Sequence, residues 1–249
     1  MTAPLRVLIG CEESGIVRRA FAALGHDAWS CDLIVAADGS NNHLIGDVRD
    51  FLHMGWDLLA VFHPPCTRLC NSGVRWLTGR DGAPPRKLPA KAPAEATAAE
   101  KAGWPDMTFD DRLAVMWRLL DEGAALFSAV WNAPIERVAV ENPVMHKYAK
   151  RLIANYQPPA QTVQPWWFGD PAFKATSFYL RGLKPLRATN RLTPPRKADH
   201  PEEHAAWSLI HRASPGKDRA KLRSRTFPGI ADAAALQWGG DATQAKEAA

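Results

Sequence analysis

Arg6-Val-Leu-Ile-Gly10-Cys11-Glu12-Glu13-Ser14-Gly15, followed by Ile16-Val-Arg-Arg-Ala-Phe-Ala-Ala-Leu24-Gly25, decides the fold class. Four residues of mostly apolar character ending on Gly10 predict a strand, the polar Cys11–Gly15 stretch a tight turn, and the apolar spacing of Ile16 to Leu24 a helix closed by Gly25. His26-Asp-Ala-Trp-Ser-Cys31-Asp32 then reads as a second strand ending on a carboxylate. Strand, glycine turn, helix and acidic strand end are the parts of a nucleotide-type half-fold, in which glycine lets a ligand approach the backbone and the carboxylate accepts hydrogen bonds from ribose hydroxyls. A tight glycine turn also serves purely structural ends in many α/β proteins. Glu12 and Glu13 narrow the choice of ligand, because two carboxylates at a helix N-terminus repel a pyrophosphate. A ligand with a cationic amino group, a ribose and no phosphate suits the turn, and S-adenosylmethionine has that description.

Further along, a third unit ends at Gly46-Asp47-Val48, and Asp57-Leu-Leu-Ala-Val-Phe-His63-Pro64-Pro65-Cys66 predicts a fourth, buried strand that two prolines terminate. Cys66 therefore sits at a carboxyl strand edge, where open α/β sheets bind their ligands. It is either a nucleophile or a small buried hydrophobe in a turn. Arg137-Val-Ala-Val-Glu141-Asn142-Pro143 repeats the device, ending a strand on a carboxylate and an amide before a proline. Asp110 to Asn132 predicts an amphipathic helix, and Gly79 to Asp106, rich in proline, alanine and lysine without periodicity, a long mobile loop that could close over the thiol.

Composition sets the bounds. The chain has 249 residues, 46% of them hydrophobic, which suffices for a full core. No stretch approaches the roughly 18 apolar residues of a membrane span, and the first residues lack a signal-peptide pattern, so a cytoplasmic protein is expected. Cys11, Cys31, Cys66 and Cys70 form neither a disulfide framework nor a zinc-ribbon spacing, Cys31 reads as core, and no metal is expected. The net charge is +5, concentrated late in the chain, where Arg187, Arg191, Arg196, Lys197, Arg212, Lys217, Arg219, Lys221, Arg223 and Arg225 outnumber the carboxylates. Such a run is a solvated face or a phosphate-binding one. Trp166-Trp167-Phe168 is either a core patch or a wall for a base, and His63 a pocket wall or a satisfied turn histidine.

Taken together, Pro65-Cys66, Glu141-Asn142, the cofactor turn and the acidic strand ends resemble the DNA cytosine carbon-5 methyltransferases over about residues 5–185, with Thr226 to Trp238 similar to the closing segment of short, phage-type members. The resemblance implies a Rossmann-like, S-adenosylmethionine-dependent α/β fold, with a mostly parallel sheet, helices on both faces and a small C-terminal appendage. It implies a catalytic domain over 1–186, a reduced basic target-recognition region over 187–225 and a closing segment over 226–249 that returns to the catalytic domain. Cys66 would be the nucleophile, Glu141 and Asn142 would hold the base, and Lys174 would stand for the family's arginine at the target base. S-adenosylmethionine would lie against Gly10, Cys11, Glu12, Ser14, Gly15, Asp32, Leu33, Asp47, Val48 and Pro64. The partner implied is double-stranded DNA with one cytosine flipped out, its phosphates contacted by Arg68, Arg75, Arg191, Arg196, Lys197, Arg223 and Arg225. So small a recognition region implies a short or relaxed site. Methylation of a free pyrimidine nucleotide, of RNA or of an exocyclic amino group, and a non-catalytic DNA-binding role, are the alternatives.

Overall fold

In a computed structural model of the chain, residues 3–70, 74, 77, 88–212 and 226–240 are described. By compactness the chain divides into one unit made of Met1–Pro64, Ala133–Asn142 and Gln157–Ala249, and a second made of Pro65–Asn132 and Pro143–Tyr156. The division interleaves along the sequence and does not follow the expected boundaries at 186 and 225.

The first unit holds a seven-stranded sheet, in the order β3-β2-β1-β4-β5-β7-β6. Its strands are β1 (Arg6–Gly10), β2 (Asp27–Asp32), β3 (His43–Ile45), β4 (Leu58–Val61), β5 (Arg137–Glu141), β6 (Gln161–Val163) and β7 (Thr176–Arg181). β7 runs antiparallel to both neighbours and every other pairing is parallel. The chain leaves β1 toward β2 and β3 on one side and resumes with β4 and β5 on the other. That reversal opens a crevice at the carboxyl ends of β1 and β4, the usual ligand position in an open α/β sheet. Register aligns those ends, since Gly10 pairs with both Cys31 and Val61, and Val61 with Val140.

Interior strands of this kind are buried on both faces, and all four residues of β4 are inaccessible. On one face Leu5, Val7, Ile9, Leu58, Ala60 and Phe62 alternate inward against α1 (Ile16–Ala23) and the C-terminal helix α7 (Pro228–Gly240). α1 contributes Val17 and Phe21, and it ends where Gly25, at φ 83°, takes the left-handed conformation glycine tolerates. Phe62, Phe178 and Trp238 form an aromatic knot with centroids 5.4 to 6.3 Å apart, and the Trp238 indole donates to the Lys184 carbonyl at 3.1 Å. Among the described residues between β7 and α7 are the short helices α5 (Pro201–Trp207) and α6 (Leu209–Arg212).

The second unit is helical: α2 (Ala98–Gly103), α3 (Phe109–Trp131) and α4 (Lys147–Leu152). α3 opens on a capping box, Thr108 with Asp111, and matches the expected amphipathic helix. α2 corrects the expectation of an unstructured loop from 79 to 106. Thr97 accepts from the Glu100 amide while the Glu100 carboxylate accepts from the Thr97 amide, and Arg118 on α3 bonds the same carboxylate. Residues 79–87 of that expected loop lie outside the described residues.

Candidate active site

The turn after β1 is closed upon itself. Gly10 is required by close packing, because a Cβ there would lie 2.8 Å from Val48 Cγ2 and 3.1 Å from Val61 Cγ2. Cys11 adopts φ 56° and Gly15 φ 66°, which folds the chain back so that Glu12 lies beneath the start of α1. Glu12 is fully buried, and its two carboxylate oxygens accept from the Val17 amide at 2.7 Å and the Arg18 amide at 3.1 Å. The Ser14 hydroxyl donates to the same carboxylate at 3.4 Å and accepts from Ile16. This differs from the expected role of Glu12, since the carboxylate caps the helix instead of facing a ligand's amino group. Burial pushes its proton affinity up, and the helix amides oppose that. Two amides that a phosphate would need at this helix are thereby occupied.

Beside the turn, the carboxyl ends of β2 and β3 supply Asp32, Leu33, Asp47 and Val48. Cys11 is pushed up to about 12 by burial, with Asp32, Cys31 and Asp47 adding to the shift, so the thiol borders both aspartates and stays protonated. Cys31 is buried, also raised to about 12 by burial and the neighbouring aspartates, and donates to the Gly46 carbonyl. Asp47 accepts from the Arg49 amide and guanidinium, and the arginine holds it below the ordinary carboxylate range. Val48 is buried under Gly10, whereas Leu33 is 72% exposed directly after Asp32. Pro64 is buried at the end of the β4 segment.

A second constellation lies at the carboxyl ends of β4 and β5. His63, Glu141, Lys174, Thr176 and Thr226 line a narrow cleft floored by Phe62, Phe227 and Ile230. Glu141 is buried and raised to about 7, burial outweighing the opposing pull of Lys174. The His63 ring shares a hydrogen bond with the Thr226 hydroxyl and is kept neutral, lowered to about 3 by burial and by Lys174. Lys174 is set by its own backbone, whose amide donates to Gln164 Oε1 at 3.1 Å and whose carbonyl accepts from Thr176 at 3.0 Å. The Asn142 amide donates to the Ser177 carbonyl, while its fully buried carboxamide has no hydrogen-bond partner among the described residues.

His63 and Thr226 are members that sequence reasoning left undecided or did not select. His63 was legible as a residue before two prolines. Thr226 was not, because 163 residues separate it from the histidine it bonds.

Cys66 belongs to the second unit, where it is half-buried and its carbonyl accepts from the Leu69 and Cys70 amides in a helical turn. Arg68, expected at phosphate, is held by a carboxylate of the same unit. Its side chain is 13% exposed and pairs with Glu95 at 2.8 Å, which matches the charge of the largely desolvated guanidinium. Arg196 pairs with Asp199 at the surface, Lys197 is exposed, and Arg191 lies over the Trp166 and Trp167 rings. Arg75, Arg223 and Arg225 lie outside the described residues.

No protein-family model matches this chain, and no curated protein matches it. Among the described residues no group of three or more histidine, cysteine, aspartate or glutamate side chains could hold a metal ion, and no helix is long and apolar enough to cross a membrane.

Proposed function

We propose that the chain methylates carbon 5 of cytosine in DNA, with S-adenosylmethionine as the methyl source and a Rossmann-like methyltransferase fold as its frame. The observation that carries this is Glu141. A buried carboxyl raised to about 7 holds or releases a proton near neutrality, beside a lysine and a neutral histidine in a narrow cleft at the carboxyl ends of β4 and β5. Cytosine ring nitrogen 3 needs such a partner, because attack at carbon 6 builds negative charge in the ring and a proton at nitrogen 3 neutralises it.

The residues of the first turn fit the cofactor. Asp32 supplies a ribose acceptor, Leu33 an exposed apolar face, Gly10 and Val48 a close backbone, and the capped start of α1 disfavours phosphate-bearing alternatives. When bound, S-adenosylmethionine supplies an electrophilic methyl group. Cys66, which follows His63-Pro64-Pro65 in the chain, supplies the thiolate: its sulfur bonds to carbon 6, the ring electron pair moves to carbon 5, where it would bond the methyl group as the donor's neutral thioether leaves, and the carbon–sulfur bond breaks once the carbon 5 proton has gone to a base. Lys174 tempers the charge on Glu141 throughout. Because the ring atoms are inaccessible within a duplex, the cytosine is extruded first.

Bisulfite-type sequencing of DNA from cells expressing the chain tests the proposal. Protected cytosines are expected with wild type and none with Cys66→Ser. Conversion as complete as in cells lacking the chain contradicts it, and transfer of labelled methyl to dCMP in place of DNA would move the activity to a free nucleotide.

A further inference from the structure

The three aromatic residues Trp166, Trp167 and Phe168 part company in the folded chain. Phe168 is core, at 4% exposure, whereas both tryptophans remain half-exposed on the short 3-10 turn Pro165–Trp167. Their rings meet at 83° with centroids 5.9 Å apart. Over them lies Arg191, its guanidinium 5.3 Å from the Trp166 ring and 4.9 Å from the Trp167 ring. Arg191 is exposed and makes no ion pair among the described residues. The Trp167 indole nitrogen is buried without an acceptor among the described residues.

Backbone bonds hold the assembly rigid. The Leu192 amide donates to the Trp166 carbonyl at 2.8 Å and the Asn190 amide to the Trp167 carbonyl at 3.2 Å. Gln237 on α7 clamps residue 187 by both its amide and its carbonyl, at 2.8 Å each. Residues 182–198 carry Lys184, Arg187, Arg191, Arg196 and Lys197 and no carboxylate. The turn also leads into the candidate site, because Gln164, immediately before it, accepts from the Lys174 amide.

We propose that Trp166, Trp167 and Arg191 form a second nucleotide site, a platform on which an unpaired base of single-stranded nucleic acid stacks while Arg191 and the adjacent basic residues hold the flanking phosphates. Indole faces accept any base, because every base has a π-face, and a planar guanidinium serves both stacking and phosphate contact. A paired base in a duplex hides its faces and does not use the platform. The inference rests on nucleic acid being the substrate but not on methyl transfer.

Fluorescence anisotropy with a labelled twelve-nucleotide thymidine homopolymer tests it, since that strand contains no cytosine and engages no cytosine chemistry. Trp166→Ala is expected to weaken binding roughly tenfold, the scale of one base stacked on an aromatic ring, while Trp166→Phe retains most of the affinity. Arg191→Ala is expected to lower the slope of log affinity against log salt by about 0.7, the loss of one phosphate contact to a single strand. Binding of a fully paired duplex by Trp166→Ala should match wild type. Unchanged affinity of Trp166→Ala for the homopolymer, or equal weakening toward homopolymer and duplex, overturns the platform. Absence of methyl transfer with these binding differences intact would defeat the proposed activity and leave the platform standing.

Discussion

A carboxyl group that is 8% exposed and shares a small cleft with a lysine feels two opposed influences on its proton. For Glu141 burial wins, raising it from an ordinary 4.5 to about 7. The native state therefore binds this proton more tightly than the unfolded chain. The stability it contributes is fully present below about 4.5 and is lost as pH rises through about 7. The gap corresponds to a cost on the order of 3 kcal/mol for ionising the buried group. Glu141→Gln cannot ionise, so the variant should gain stability relative to wild type between those two pH values, with the difference level above them. Urea unfolding of both proteins at pH 4, 6 and 8 checks this, and a difference that stays flat across the series would contradict the raised carboxyl. The strand end carrying Glu141-Asn142-Pro143 was legible from a short apolar run and a proline. Lys174 was reached only through the family resemblance, and Thr176 and Thr226 were not reached at all, because they come to the cleft from β7 and from the segment before α7 through pairings that leave no local trace in the sequence.

At the scale of elements, strand, turn and helix were readable wherever the pattern is local. β1 and β5 run Arg6–Gly10 and Arg137–Glu141, as the apolar runs and their punctuation predict, and α3 differs from its expected bounds by a residue at each end. α2 was missed because its alanine-rich interior has no apolar period, although Thr97-Ala-Ala-Glu100 carries the capping-box spacing. The turn after β1 was recognised while the role of one member was not: Glu12 occupies the second and third amides of α1. Glu12→Ala leaves both without a partner and should cost about 1–2 kcal/mol, the scale of a lost helix cap. In a chain of this size that lowers Tm by about 2–4 °C for each kcal/mol, measurable by calorimetry. Glu12→Gln keeps one acceptor and should lose less. A variant with an unchanged Tm would show that the carboxylate does not support the helix.

For the whole molecule, the sheet order brings the first turn and the β4 end to one crevice, and the closing helix α7 packs against α1 at the other end of the sequence. Strand directions follow from local runs, but the antiparallel β7 and the return of α7 depend on contacts between distant segments. Cys66 is the proposed nucleophile of the reaction. The most direct test of that role is peptide mapping by mass spectrometry after incubation with S-adenosylmethionine and DNA carrying 5-fluorocytosine, whose fluorine replaces the proton that must leave before sulfur is released. A stable adduct on the peptide containing Cys66, absent from Cys66→Ser, is the predicted result. No adduct under conditions of methyl transfer, or an adduct on a peptide containing Cys11, Cys31 or Cys70 and not Cys66, would contradict the account.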